Sequence, residues 1–112
     1  MPPAPLWSAQ VAAHDHTHTV TIAGELDLHG ADALRRLLIA ELDTGDLSTV
    51  IADLADVTFL DSAALGALIG AYQHADDTGR QFLVRNPSRP VQRILEITGV
   101  SDILNPPADI KE

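Results

Sequence analysis

Hydrophobic and polar positions change period several times along the chain, and each change marks an element. In "LWSAQVAA" (6–13) and "HTVTIAG" (18–24) the spacing is that of strands. Val20, Ile22 and Gly24 fall on one side of the second, and Thr19, Thr21 and Ala23 on the other. "HDHT" (14–17) between them reads as a turn, so the two segments predict an opening hairpin. From "GELDLHGADALRRLLIAEL" (24–42) the period becomes helical. Leu34, Leu37, Leu38 and Leu42 share a face, Arg35, Arg36 and Glu41 lie outside it, and the helix is expected to start near Gly30 and end before "DTGD".

"STVIADLADVTFLDS" (48–62) predicts a buried strand over 50–54 followed by an irregular approach. A second helix then runs from Ser62, with Leu65, Leu68, Ile69 and Tyr72 on one face. "DDTG" (76–79) stops it, Gly79 suiting the left-handed turn after a helix. "RQFLVRN" (80–86) reads as a strand. "PSRPVQRILEITG" (87–99) reads as a third helix with Ser88 as N-cap, Pro90 in the first turn and Gly99 as stop. "VSDIL" (100–104) is expected to be a short last strand. Residues 1–5, with three prolines, and 105–112 are expected to be tails flanking one domain at 6–104. Strands separated by helices imply an α/β domain with parallel pairing.

Composition narrows the chemistry. The 112 residues suffice for one core, which must be aliphatic because aromatic residues make up only 4%. The absence of cysteine excludes disulfides and thiolate sites. No apolar run approaches the roughly 20 residues of a membrane span, and the first ten residues do not form a secretory signal, so a cytoplasmic location is expected. The net charge of −9 disfavours nucleic acid and anionic membranes as partners; it suits solubility, or a basic protein partner.

The run "VTFLDSAALGALIGAY" (57–72) holds the main chemical candidate. Asp61 and Ser62 are both leading N-cap types, and capping alone accounts for them locally. The helix that follows is rich in small residues, among them Gly66 and Gly70. A mid-helix glycine costs roughly 1 kcal/mol against alanine, so close approach of another body, or tight packing on the sheet, must compensate. A helix start also tolerates a phosphate, whose charge of about −1.5 to −2 beside Asp61 would favour release of a partner. A nucleophilic role fits poorly: no G-x-S-x-G elbow surrounds Ser62, and no histidine follows His74.

At "GELDLHGADALRRLL" (24–38), "VIADLADVTFLDSAALGALIGAY" (50–72) and "RPVQRILEITGVSDIL" (89–104) the chain resembles the STAS domains of bacterial anti-sigma factor antagonists, over about 6–104. The resemblance implies a single α/β domain: a small mixed sheet with an N-terminal hairpin, parallel inner strands and helices mainly on one face. It implies a regulator rather than an enzyme, with no cofactor. The unphosphorylated form would bind an anti-sigma factor that is also a serine kinase of histidine-kinase-like fold, freeing a sigma factor. Phosphorylation would release it, and a phosphatase would reset it. By match to the motif Ser62 is the phosphoacceptor, and Asp27 falls at an acidic position linked with binding and phosphorylation. The implied docking surface comprises Asp27, Asp61, Ser62, Ala63, Leu65 and Gly66. Ala63 departs from relatives that carry a second hydroxyl there, leaving Ser62 as the one acceptor. Other members of the family lack an acceptor and act as scaffolds in lipid-transport or stress-sensing complexes, or as transporter tails. The lack of an apolar span argues against a transporter tail unless the chain is a fragment.

Three other features need weighing. His14, His16 and His18 would share a face of an extended segment and could hold a metal, yet no matching ligand pattern lies nearby and the stretch reads as an exposed turn. Asp53 and Asp56, with Asp61, lie where strands end, a place for a cation, but no phosphate loop accompanies them. "RNPSRPVQR" (85–93) concentrates Arg85, Arg89 and Arg93 as an acid-binding edge or a solvated helix face.

Overall fold

The computed structural model describes residues 6–106. The expected tail at 1–5 and most of the one at 105–112 lie outside the described residues. Two strands, β1 (Trp7–His14) and β2 (Thr17–Leu26), form the opening hairpin; Asp15 makes the turn at φ 54°. Helix α1 (Leu28–Leu42), strand β3 (Thr49–Leu60), helix α2 (Ser62–Asp77), strand β4 (Gln81–Arg85) and helix α3 (Arg89–Ile97) follow. The sheet order is β1-β2-β3-β4. The first pair is antiparallel and the other two are parallel, as strands joined by helices require.

Alternation along the strands sorts the core. Val20, Ile22, Val50, Ala52, Leu54, Phe82 and Val84 are buried beneath the helices, while Thr21, Asp53 and Leu83 between them are not. Leu34, Leu38 and Leu42 of α1 close over them as their spacing predicts. The buried face of α2 is turned from the expected one. Ala64, Ala67, Ala71 and Ala75 join Leu65 and Leu68, whereas Ile69 and Tyr72 are only half-buried. Short alanine side chains let this helix seat itself closely on the sheet.

Three expectations are corrected. Residues 101–104 are a short helix, α4 (Ser101–Leu104), not a last strand; it starts two residues after Gly99 (φ 78°) and buries Leu104 in the core. Strand β3 runs well past residue 54, because its second half continues alongside β2 through two register shifts. Helix α1 starts at Leu28, ahead of Gly30, because Asp27 supplies its cap. Gly30 is nonetheless required to be small: a Cβ there would lie 2.5 Å from the Trp7 indole Nε1. Ser88 stands at the N-cap position of α3 as expected, but its hydroxyl donates to the Val57 carbonyl at 2.5 Å instead of capping.

Arg80, just after α2, finishes α1. Its guanidinium donates to the carbonyls of Leu42, at the helix end, and of Thr44 at 2.9 Å and Gly45 at 2.7 Å in the turn that follows, sharing the Thr44 oxygen with the Leu47 amide. Arg80→Ala is therefore expected to lower the unfolding free energy by about 1–3 kcal/mol, read from the urea midpoint. An unchanged midpoint would mean that water replaces the arginine at no cost.

Candidate functional site

Parallel pairing of β2 and β3 sets Leu26 beside Leu60. Each leucine is followed by an aspartate, and each aspartate by a helix. Asp27 (φ −126°, ψ −171°) and Asp61 (φ −100°, ψ −177°) are the extended N-caps of α1 and α2. Asp27 Oδ1 accepts from the His29 amide at 2.9 Å, and Asp61 Oδ1 from the Ala64 amide at 2.9 Å. The other Asp61 oxygen crosses to the neighbouring helix and accepts from the Leu28 amide at 2.9 Å. Backbone adds a further link, from the Asp61 amide to the Leu26 carbonyl at 3.1 Å. One carboxylate thus serves two helix starts, and the positive ends of both helix dipoles converge on it.

Ser62 is the first helical residue of α2, and it is exposed. Because Asp61 fills the cap, the serine is released from that duty: its hydroxyl makes no hydrogen bond among the described residues. The competing claims on Asp61-Ser62 are thereby divided between the two side chains. Asp61 is spent on structure, and Ser62 is left accessible.

The other expected site residues divide similarly. Ala63 is half-buried and Gly66 is exposed beside Ser62. Leu65 points the other way, into the core at 6% exposure, so it supports the helix and offers no surface. A cavity of about 410 Å³ lies between α1 and α2, lined among others by Leu28, Asp32, Arg35, Ala63 and Gly66. A Cβ at Gly66 would meet nothing within 4 Å, so that glycine does not serve packing on the sheet. At Gly70 the Arg35 side chain already fills the space, 3.1 Å from where a Cβ would stand.

Two apolar residues near the serine escape the periodicity argument: Leu28, 69% exposed, and Phe59, 48% exposed. Leu28 lies outside the leucine stripe of α1, which is the signal that sets it apart. Phe59 falls where β3 shifts register against β2, and no spacing rule reveals that.

The remaining candidates do not converge on Ser62. Asp53 accepts from the Ala55 amide at 3.1 Å and from Asn86 Nδ2 at 3.1 Å. His16 Nδ1 lies 3.1 Å from the Asp46 carbonyl oxygen, and His18 Nδ1 lies 2.7 Å from Glu41, which is half-buried rather than on the exposed face of α1. Among the described residues no three His, Cys, Asp or Glu side chains gather as a metal site, and no helix is long and apolar enough to cross a membrane.

The chain belongs to the STAS domain family, whose sequence profile it matches over residues 8–112. It is 31% identical over 99 residues to the anti-sigma-B factor antagonist of Bacillus subtilis, covering 88% of each chain. Its fold is similar to that of the anti-sigma factor antagonist SpoIIAA in its unphosphorylated form: TM-score 0.73, 22% identity, 83% of this chain and 82% of that one. The phosphorylated form of the Bacillus cell fate determinant SpoIIAA aligns at TM-score 0.68 and 21% identity, over 84% and 86%. The fold class implied by the motifs is the one observed.

Two stability predictions follow from this geometry. Asp61→Ala leaves the Leu28 and Ala64 amides without acceptors and should cost about 1–3 kcal/mol. Gly66→Ala, in open space on a regular helix, should gain about 0.5–1 kcal/mol. Denaturant titration reads both, and a destabilised Gly66→Ala would mean that the fold itself needs that glycine.

Proposed function

We propose that this protein is an anti-sigma factor antagonist of the partner-switching kind, with Ser62 as its phosphoacceptor. The observation that carries the proposal is the hydroxyl of Ser62, exposed and unbonded at the start of α2 while Asp61 performs the capping. The relative named an anti-sigma-B factor antagonist and the fold neighbour solved in a phosphorylated form support the same reading.

In this scheme the unmodified protein docks an anti-sigma factor that is also a serine kinase of histidine-kinase-like fold. The docking face comprises Ser62, Ala63, Gly66 and the exposed Leu28, with Asp27 and Asp61 fixing the two helix starts beside them. The kinase supplies ATP and the catalytic groups; this chain supplies a presented hydroxyl. Phosphate adds about −1.5 to −2 charges next to two aspartates on a chain already at −9. The helix ends make a phosphate tolerable to this fold, whereas a partner surface matched to a neutral serine meets a desolvated dianion. Binding falls and the partner is released to hold a sigma factor. A phosphatase reverses the step.

With the kinase and Mg-ATP, intact mass should rise by one phosphate on Ser62. Ser62→Ala should abolish that gain without loss of fold. Ser62→Asp should weaken binding to the kinase by about tenfold or more, measured by titration calorimetry. Phosphate on another residue would overturn the assignment of the acceptor, and undiminished affinity of Ser62→Asp would overturn release by charge.

A further inference from the structure

The distribution of cations on α3 is not absorbed by the Ser62 site. Three of the six described arginines are bonded within the fold, and Arg35, which makes no such bond, lies across to the neighbouring helix. Arg36 pairs with Asp32 at 2.5 Å, Arg80 holds the carbonyls after α1, Arg85 donates to the Val84 carbonyl and to Asn105, and Arg35 lies over Gly70. Arg89 and Arg93 differ. Both are exposed, and neither makes an ion pair or side-chain hydrogen bond among the described residues. They stand one helical turn apart, and one turn further along the same face comes Ile97, 73% exposed. A concave space of about 440 Å³ lies against them, lined by Pro87, Arg89, Gln92, Arg93 and Glu96. Glu96 is the acid on this rim, and it is held by Gln92 Nε2 at 2.7 Å rather than by an arginine.

We propose that this outer face of α3 is a docking surface for an acidic peptide segment that carries an apolar side chain. Charge complementarity commits it to that occupant. The chain is strongly acidic, yet two guanidiniums are set side by side where no carboxylate of the described residues engages them. Guanidiniums recognise carboxylates with two parallel hydrogen bonds, and paired arginines at this spacing fit acidic side chains in succession. Ile97 extends the stripe with a contact that water favours covering, which a small inorganic anion could not use. The Ser62 end, bearing Asp27 and Asp61, has the opposite sign. The two surfaces therefore select different partners.

The test uses the full chain and a short fluorescein-labelled peptide of Glu-Glu-Leu repeats, followed by anisotropy and by amide chemical shifts. The expected result is binding that weakens with salt, with shift changes confined to residues 89–97. The double variant Arg89→Glu/Arg93→Glu should lose about tenfold in affinity or more, with an unchanged circular dichroism spectrum. Ile97→Ser should lose about fivefold. A Gln-Gln-Leu peptide should not bind. Equal binding by that neutral peptide, or insensitivity to charge reversal, would overturn the proposal, as would preference for anionic phosphatidylglycerol vesicles over the peptide. Kinase phosphorylation of Ser62 should be retained in the double variant; its loss would merge this face with the Ser62 site and end the claim of a separate surface. The peptide titration stands whether or not Ser62 proves to be the acceptor.

Discussion

The carboxylate of Asp61 is the contact on which the arrangement of the site depends. Its two oxygens accept from the first turns of two different helices, and no other described side chain ties both helix starts together. A helix begins with several amides that have no partner inside it. Here one acid satisfies two such groups 36 positions apart in sequence, Leu28 and Ala64. The parallel register that sets Leu26 beside Leu60 makes this geometry available. Position and exposure of Ser62 are both consequences. The residue after the cap is held at a fixed helix mouth, and its own hydroxyl is not consumed in holding it.

That division of labour bears on how a single serine can be a switch without being a weak point. A side chain that capped a helix and was also modified would change the stability of its helix each time. Under the proposed function, with Asp61 capping, a phosphate on Ser62 would add to the surface and not to the framework. The same logic accounts for Gly66. An open position on a helix, with nothing to fill it from within, is a local cost that folding does not require. Under the proposed function it is clearance for another protein's surface.

Local rules made most of the fold legible. Alternation marked β2, leucine spacing marked the core face of α1, and turn residues marked the ends of both long helices. Four features fell outside those rules, each for a physical reason. Residues 101–104 are too few for any period to separate strand from helix, and burial of Leu104 decides the matter. The second half of β3 hides its strand character because register shifts break the alternation. Alanine weighs little in a hydrophobic pattern, yet four alanines carry the buried face of α2. The bond from Asp61 to Leu28 spans two elements, and no reading of neighbours in sequence can supply it. The repeated Leu-Asp step at 26–27 and 60–61 is the trace it leaves in the sequence. The motif around Ser62 is distinctive enough to single out that serine as the candidate; the burial of Leu65 and the exposure of Phe59 are decided by packing between elements, which no local rule states.

Helix α1 is gripped at both ends by residues that flank α2. Asp61, just ahead of α2, holds its first turn, and Arg80, just behind α2, holds the carbonyls at its far end. The two helices are thus latched like a frame braced at opposite corners, and the cleft between them has a set width before anything arrives. A visitor to that cleft meets a finished shape and forfeits little ordering entropy on arrival. Encounters should be decided by fit and by charge at first touch, and a single added dianion at one corner can alter that first touch without any rearrangement of the frame.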